Sequence, residues 1–287
     1  MLIDNDKICM ITGANAGLGK ESAIQLAKKG FHVVMVCRNK DRAVEARKEI
    51  INSSDNKNVD ILLSDLASLN SVRKLAEDFK GKYNKLHVLI NNAGVFNYQR
   101  VLTVDNYEST FAVGYLSHFL LTNLLLELVV QSTPSRIINV SSDIHKYFGI
   151  RMDDLMSEKK YSPQKAYSNT KFALVLFTYA LNKKLKGKDV SVNAVAPGHA
   201  KTNMTKPVNK ISKIVMAIQL MLSGGGSVEK AAKSQIYLAH SSNVEGISGK
   251  YFKKCKQVKS HKKTYDASLQ EELWNISEKL VNLSSPH

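Results

Sequence analysis

The feature that most constrains this chain is a glycine-spaced turn set between an apolar run and a helix-length segment. Lys7-Ile8-Cys9-Met10-Ile11-Thr12 is short and apolar, as a buried strand requires. Thr12-Gly13-Ala14-Asn15-Ala16-Gly17-Leu18-Gly19 follows, and residues 17–29 then take up amphipathic helical spacing. Gly13 permits the tight turn, Gly17 lets the backbone approach a pyrophosphate, and Gly19 lets the helix lie close on the sheet. The helix N-terminus adds amide donors and the positive end of its dipole. The same glycines could serve an ordinary turn, but the strand before and the helix after them favour a dinucleotide cradle.

The rest of the chain repeats the alternation begun here. Strand-like runs fall at 32–36, 59–63, 86–90, 136–140 and 190–195, and helical patterns at 41–51, 68–80, 106–130 and 163–186. Strands separated by helix-length segments form βαβ units, and right-handed crossovers carry the helices to both faces. The expected fold is α/β: a single Rossmann-type, doubly wound parallel sheet with helices on both faces. Five prolines and no Gly/Ser/Pro-rich linker leave residues 1–287 as one domain. It would carry a substrate loop at about 198–227 and a C-terminal extension at about 252–287.

Ligands of open α/β sheets sit beyond the carboxyl ends of the strands, which points to the connections 141–162 and 198–227. The second contains the apolar run Ile211 to Leu222, followed by Gly224-Gly225-Gly226 as a plausible hinge. A lid over an apolar substrate, a dimer contact and a membrane-touching helix all fit that run. Glu271 to Leu283 reads as an amphipathic packing helix.

Charge and cysteines narrow the classes. The formal net charge is +16, with one lysine concentration at Lys250, Lys253, Lys254, Lys256, Lys259, Lys262 and Lys263. No aromatic-interleaved or helix-turn-helix pattern accompanies it, so nucleic acid is not expected as a partner. Contact with an anionic membrane surface and a basic background without local meaning both stay open. Cys9, Cys37 and Cys255 are an odd number, far apart and without metal-ligand spacing. No metal site is expected, and a reducing, cytoplasmic compartment fits. The first residues carry no signal-peptide pattern. The longest apolar stretch, Phe119 to Val130, is interrupted by Thr122, Asn123 and Glu127 and is too short to cross a bilayer.

Two further patterns carry chemistry. The second strand ends Val34-Met35-Val36-Cys37-Arg38, without the Asp or Glu that binds a ribose 2′-hydroxyl. Arg38 suits a 2′-phosphate instead, so NADP(H) is the expected cofactor, the alternative being an ordinary surface arginine. Tyr167-Ser168-Asn169-Thr170-Lys171 lies within the helical pattern 163–186, which puts Tyr167 and Lys171 one turn apart on one face. An ammonium near a phenol favours phenolate and draws its pKa down. Alone, such a pair is common helix-surface decoration.

Its company makes it informative. Gly13/Gly17/Gly19, Asn91-Asn92-Ala93-Gly94, Ser142, Tyr167 with Lys171, and Pro197-Gly198 followed by Thr202 stand in that order. The set resembles the short-chain dehydrogenase/reductase family over nearly the whole chain. Within the family it is most similar to the retinol-dehydrogenase-like members. The supporting segments are Cys37-Arg38-Asn39, His118-Phe119-Leu120-Leu121-Thr122, Lys165-Ala166-Tyr167, Ser248-Gly249-Lys250-Tyr251-Phe252 and Leu273-Trp274-Asn275. The resemblance implies that Ser142, rather than Ser141, binds the substrate oxygen and that Tyr167 exchanges the proton. Lys171 would hold the nicotinamide ribose and bias Tyr167 toward ionisation. It also implies cofactor contacts at Gly13, Asn15, Gly17, Leu18, Gly19, Arg38, Asp65, Leu66, Asn92, Ala93, Gly94, Tyr167, Lys171, Pro197, Gly198 and Thr202. Homo-oligomers are common among such proteins.

One residue departs from the pattern. The family usually carries an Asn where Phe111-Ala112-Val113-Gly114-Tyr115 has Gly114. That Asn shapes a helix kink and supports a water relay to the active-site lysine. Gly114 keeps the main-chain carbonyl and tolerates a kink but loses the side chain. His118, His145 and His199 fall near the expected site and read as packing or loop residues. The expected function is an NADP(H)-dependent oxidoreductase acting on an apolar alcohol, aldehyde or ketone, with retinoid-like and lipid-derived carbonyls in range. Gly114 keeps one rival in view, a non-catalytic NADP(H)-binding regulator.

Overall fold

Successive residues of β2 (His32–Cys37) belong to opposite layers: Val34 and Val36 pack in one core, Val33, Met35 and Cys37 in the other. A strand buried on both faces must be apolar throughout, which is why this run shows no polar alternation. The computed structural model describes residues 7–197 and 227–283. Gly198, His199, Thr202, the run Ile211 to Leu222 and the glycines that follow it lie outside the described residues.

The sheet comprises β1 (Ile8–Thr12), β2, β3 (Val59–Leu63), β4 (Val88–Asn91), β5 (Ser135–Val140), β6 (Val190–Ala196), β7 (Lys250–Lys253) and β8 (Lys256–Val258). Their order is β3-β2-β1-β4-β5-β6-β7-β8. All pairings are parallel except the last, β7 with β8. The order reverses between β1 and β4, so the crevice expected for a ligand opens beyond Thr12 and Asn91.

On one face lie α1 (Gly17–Ala27), α2 (Lys40–Ser54) and α9 (Val228–His240); on the other lie α3 (Leu69–Lys80), α5 (Ser117–Leu124), α8 (Pro163–Lys184) and α10 (Ala267–Leu280). The doubly wound α/β architecture read from the sequence is therefore present, with an antiparallel final strand added. Helix starts follow local chemistry. Asn39, Ser68, Ser227 and Asp266 each accept a backbone amide of the first turn of α2, α3, α9 and α10. Such a cap contributes about 1 kcal/mol. Asp266 also sets the start of α10 earlier than the expected 271.

The helix expected over 106–130 is broken. Glu108, fully buried, accepts the amides of Thr110 and Phe111 at 2.9 Å each and starts α4 (Ser109–Phe111). A single π turn follows at Ala112–Leu116, then α5 and α6 (Leu126–Gln131). Gly114 sits inside the π turn. The connection 141–162 is also more ordered than expected, with α7 (His145–Phe148) and a 3-10 turn at Met152–Asp154. Among the described residues, no helix is long and apolar enough to cross a membrane.

Candidate active site

The glycine turn is shaped by backbone conformation. Gly13 has φ +69° and Gly17 φ +53°, the left-handed region that disfavours side chains. A Cβ on Gly19 would fall 2.3 Å from the carbonyl oxygen of Gly13, so no other residue fits there. Helix α1 opens at Ala16 with no acid in its first turn and, unlike α2, α3, α9 and α10, with no side-chain cap. Its first amides are left for an outside acceptor, the arrangement that suits a pyrophosphate. By this test the residues fit a dinucleotide.

Neighbouring strand ends close the cradle. The Thr12 hydroxyl oxygen accepts the amides of Asn92 and Ala93, both at 2.9 Å, and Asn92 Nδ2 donates to the Thr12 carbonyl at 2.8 Å. Asn92 thus straps the end of β4 to the glycine turn. At the end of β2, Cys37 is buried and burial pushes its thiol up to about 12. Cys37 is therefore a small buried filler at this strand end, where no acid stands. Arg38 projects outward at 75% side-chain exposure, its Nη1 4.0 Å from Asp65 Oδ1 at the end of β3. Asp65 Oδ1 also accepts the amide of Ala67 at 3.0 Å, and Leu66 is buried beside it. Arg38 and Asp65 therefore meet over the strand ends where an adenosine ribose would lie.

Helix α8 brings the other candidates to β5. Pro163 occupies its first turn, where a missing amide costs no hydrogen bond. Lys171 is buried, and its Nζ donates to the carbonyl of Val140 at 2.8 Å. Ser141, 1% exposed, donates its hydroxyl to the carbonyl of Lys171 at 2.7 Å. Ser141 is thereby used up in joining β5 to α8, whereas Ser142 is half-buried and, among the described residues, its Oγ accepts only a long 3.4 Å contact from the amide of Ile144.

The Lys171 ammonium lies 5.4 Å from the centre of the Tyr167 ring, one turn away as the spacing requires. Burial pushes the Tyr167 phenol up, and burial pushes Lys171 down to about 8. Desolvation of the buried phenol acts in the opposite direction to the lowering expected from the neighbouring Lys171 ammonium. A Cβ on Gly94 would come within 3.6 Å of Lys171 Nζ, so Gly94 lines this corner. Pro197 follows β6 and is half-buried.

Two contributions, Phe96 and Gln235, were not legible in the sequence. Phe96 packs edge-on against Tyr167 at 5.6 Å between ring centres and against Tyr98 at 5.5 Å, giving the phenol an apolar wall. Gln235 on α9 is fully buried, and its Nε2 donates to Ser22 Oγ at 2.6 Å and the Leu18 carbonyl at 3.3 Å. His118 is fully buried between the Gly114 carbonyl, 3.3 Å from Nδ1, and Thr12 Oγ1, 3.0 Å from Nε2. Since a carbonyl can only accept, Nδ1 carries the proton, and burial pushes His118 down to about 3. It is neutral and packs the π turn against the glycine turn, as expected of a packing histidine.

Comparison with known proteins agrees with this geometry. The family model described as short chain dehydrogenase matches residues 7–213. The chain belongs to the short-chain dehydrogenase family. Retinol dehydrogenase 14 of Homo sapiens is 41% identical over 292 residues, covering 96% of this chain and 87% of that protein. Polyprenol dehydrogenase of Homo sapiens is 38% identical over 281 residues, covering 95% and 84%. A solved structure of an uncharacterized protein from Mycobacterium paratuberculosis superposes with a TM-score of 0.79 at 29% identity, over 98% of this chain and 96% of that one. This short-chain dehydrogenase is thus of the retinol-dehydrogenase-like kind, a nicotinamide-dependent oxidoreductase.

Proposed function

We propose that this short-chain dehydrogenase uses NADP(H) to interconvert an apolar alcohol with its aldehyde or ketone, with Tyr167 as the proton-transfer residue. The observation that carries the reading is the junction of α8 with β5. Lys171 Nζ on Val140 and Ser141 on Lys171 hold Tyr167, Lys171 and Ser142 around one strand end.

When bound, the nicotinamide supplies a hydride to the carbonyl carbon or takes one from the alcohol. The chain's residues handle the rest. Ser142 donates its hydroxyl hydrogen bond to the substrate oxygen and orients it. In reduction Tyr167 gives its phenolic proton to that oxygen, so the carbonyl gains one hydride and one proton; in oxidation the proton returns to Tyr167. A phenol raised by burial is a competent proton donor at neutral pH. Lys171 steadies the charge that remains on Tyr167 and holds the ribose. Phe96 and Tyr98 keep water from the reacting oxygen and favour an apolar substrate.

The cofactor would lie along Gly13, Asn15, Gly17, Leu18 and Gly19, with Asp65, Leu66, Asn92, Ala93, Gly94 and Pro197 beside it. Gly198 and Thr202 complete the same proposal from outside the described residues. Arg38, exposed and without an acid at position 37, supports NADP(H) over NAD(H). The one continuous sheet supports reading the chain as one domain. The names of the relatives, retinol and polyprenol dehydrogenases, support trying isoprenoid alcohols and aldehydes first as substrates.

The test is NADPH consumption by wild type and Tyr167→Phe across aliphatic, aromatic and isoprenoid aldehydes. Turnover should fall by at least about a hundredfold in the variant, the scale of lost general acid catalysis. Turnover that survives the substitution would sink the assignment. Binding of NADPH without turnover of any aldehyde would favour the regulatory reading.

A further inference from the structure

The turn that follows Ser142 is tied to the C-terminal part of the chain by side chains with no part in the proposed chemistry. His145, fully buried at the start of α7, places Nδ1 2.6 Å from the carbonyl oxygen of Ser142. A carbonyl only accepts, so Nδ1 carries the proton. Its Nε2 accepts the backbone amide of His261 at 3.2 Å, which fixes the same tautomer from the other side. The ring is held edge-on by Tyr251, 5.0 Å away, and by Phe172 at 6.0 Å. Burial pushes His145 down to about 4, so the neutral ring that both bonds need is the one present at neutral pH.

Asp143 makes a second tie from the same turn. It accepts the Tyr251 hydroxyl at 3.1 Å and pairs with Lys253 at 2.5 Å and Lys146 at 3.4 Å. Burial opposes its charge, but these partners hold the carboxyl below its ordinary range. The two residues flanking the turn therefore reach β7 and the segment before α10, both distant in sequence.

We propose that His145 is a positioning residue for Ser142: its Nδ1–H on the Ser142 carbonyl fixes the serine turn in its working geometry, and the His261 amide on Nε2 selects the tautomer that makes this donor. This rests on the reading of Ser142 as the residue that binds the substrate oxygen. A hydroxyl that must meet a substrate oxygen loses rate when its backbone drifts by a fraction of an ångström.

The two nitrogens can be separated by substitution. His145→Asn keeps an N–H close to the Nδ1 position and loses the acceptor for His261. His145→Gln keeps an acceptor close to the Nε2 position and loses the donor to Ser142. Full-length wild type and both variants are compared for kcat, KM for NADPH, thermal midpoint and amide hydrogen exchange at residues 142–144. Tyr167→Phe is run in parallel. The expected result is a kcat loss of under about threefold for His145→Asn and of at least about tenfold for His145→Gln. KM for NADPH should hold within about twofold, and exchange in the serine turn should be faster in His145→Gln alone.

Equal kcat losses that track the thermal midpoint would overturn the proposal and leave His145 a packing residue; no loss in either variant would overturn it too. Turnover that persists in Tyr167→Phe would instead indict the underlying reading of the active site. If wild type turns over none of the aldehydes, hydrogen exchange decides: faster exchange in His145→Gln alone supports the Nδ1–H tie to Ser142, and equal exchange in both variants rejects it.

Discussion

Gly114 and Thr170 occupy each other's space: a Cβ built on Gly114 would lie 2.5 Å from Thr170 Cγ2. Thr170 cannot turn aside freely, because its hydroxyl donates to the Ala166 carbonyl at 2.9 Å. The glycine at the family's asparagine position is thus matched by a methyl group from the helix that carries Tyr167 and Lys171. The contact joins α8 to a π turn, an element that recurs at functional sites.

Restoring the asparagine alone should therefore fail. Gly114→Asn is expected to cost about 1–3 kcal/mol, the range for overpacking a filled core. Adding Thr170→Ser, which deletes the methyl and keeps the hydroxyl, should recover most of that loss. Urea unfolding of the two single variants and the double variant measures the coupling. Additive single-variant costs would show that the contact is not what excludes the side chain.

Arg38→Asp tests the cofactor. A charge-assisted hydrogen bond to a 2′-phosphate contributes about 1.5–3 kcal/mol, so KM for NADPH should rise at least about tenfold. KM for NADH should change much less or fall. Equal effects on both cofactors would place Arg38 away from the 2′ position.

The pH dependence of stability isolates Lys171. Burial pushes its folded-state value down to about 8, against about 10.4 for a free lysine. Between these values the unfolded chain binds the proton the folded chain has released, so this residue makes stability rise with pH across that window. Below about pH 8 the folded protein carries the full cost of the buried charge. Lys171→Met removes the titration. Relative to the variant, wild type should gain about 1–3 kcal/mol between pH 7 and pH 10 in urea unfolding. A difference that does not change with pH would mean that Lys171 titrates normally.

The parts of the fold that were legible are those where one local rule dominates. β1, the glycine turn and α1 follow from apolar run, glycine spacing and helical period, and the structure returns them nearly to the residue. The π turn at Ala112–Leu116 was hidden because one wider turn barely alters the period of an apolar helix. Helix α9 escaped because its buried positions include Ala231, Ala232, Ser234 and Gln235, small or polar residues that draw no broad apolar stripe. The hairpin of β7 and β8 turns on Lys254 and Cys255, at φ 49° and 59°, where Asn-Gly would have signalled it. The cradle and the Tyr167/Lys171 pair were readable from spacing. Phe96 and Gln235 were not, and His145 was read only as a packing or loop residue, since each acts through contacts between segments far apart in the chain.

The strand β8 gives part of the basic charge a use that requires no ligand. Among the described residues it is the outermost strand, and its backbone groups on that side have no neighbouring strand. Lys254 and Lys256 stand exposed at the hairpin, where like charges keep a second copy from adding its own strand. Exposed lysines at a sheet edge disfavour edge-to-edge pairing of strands. Neutralising them would show first as a shorter storage life for concentrated protein, well before any change in catalysis.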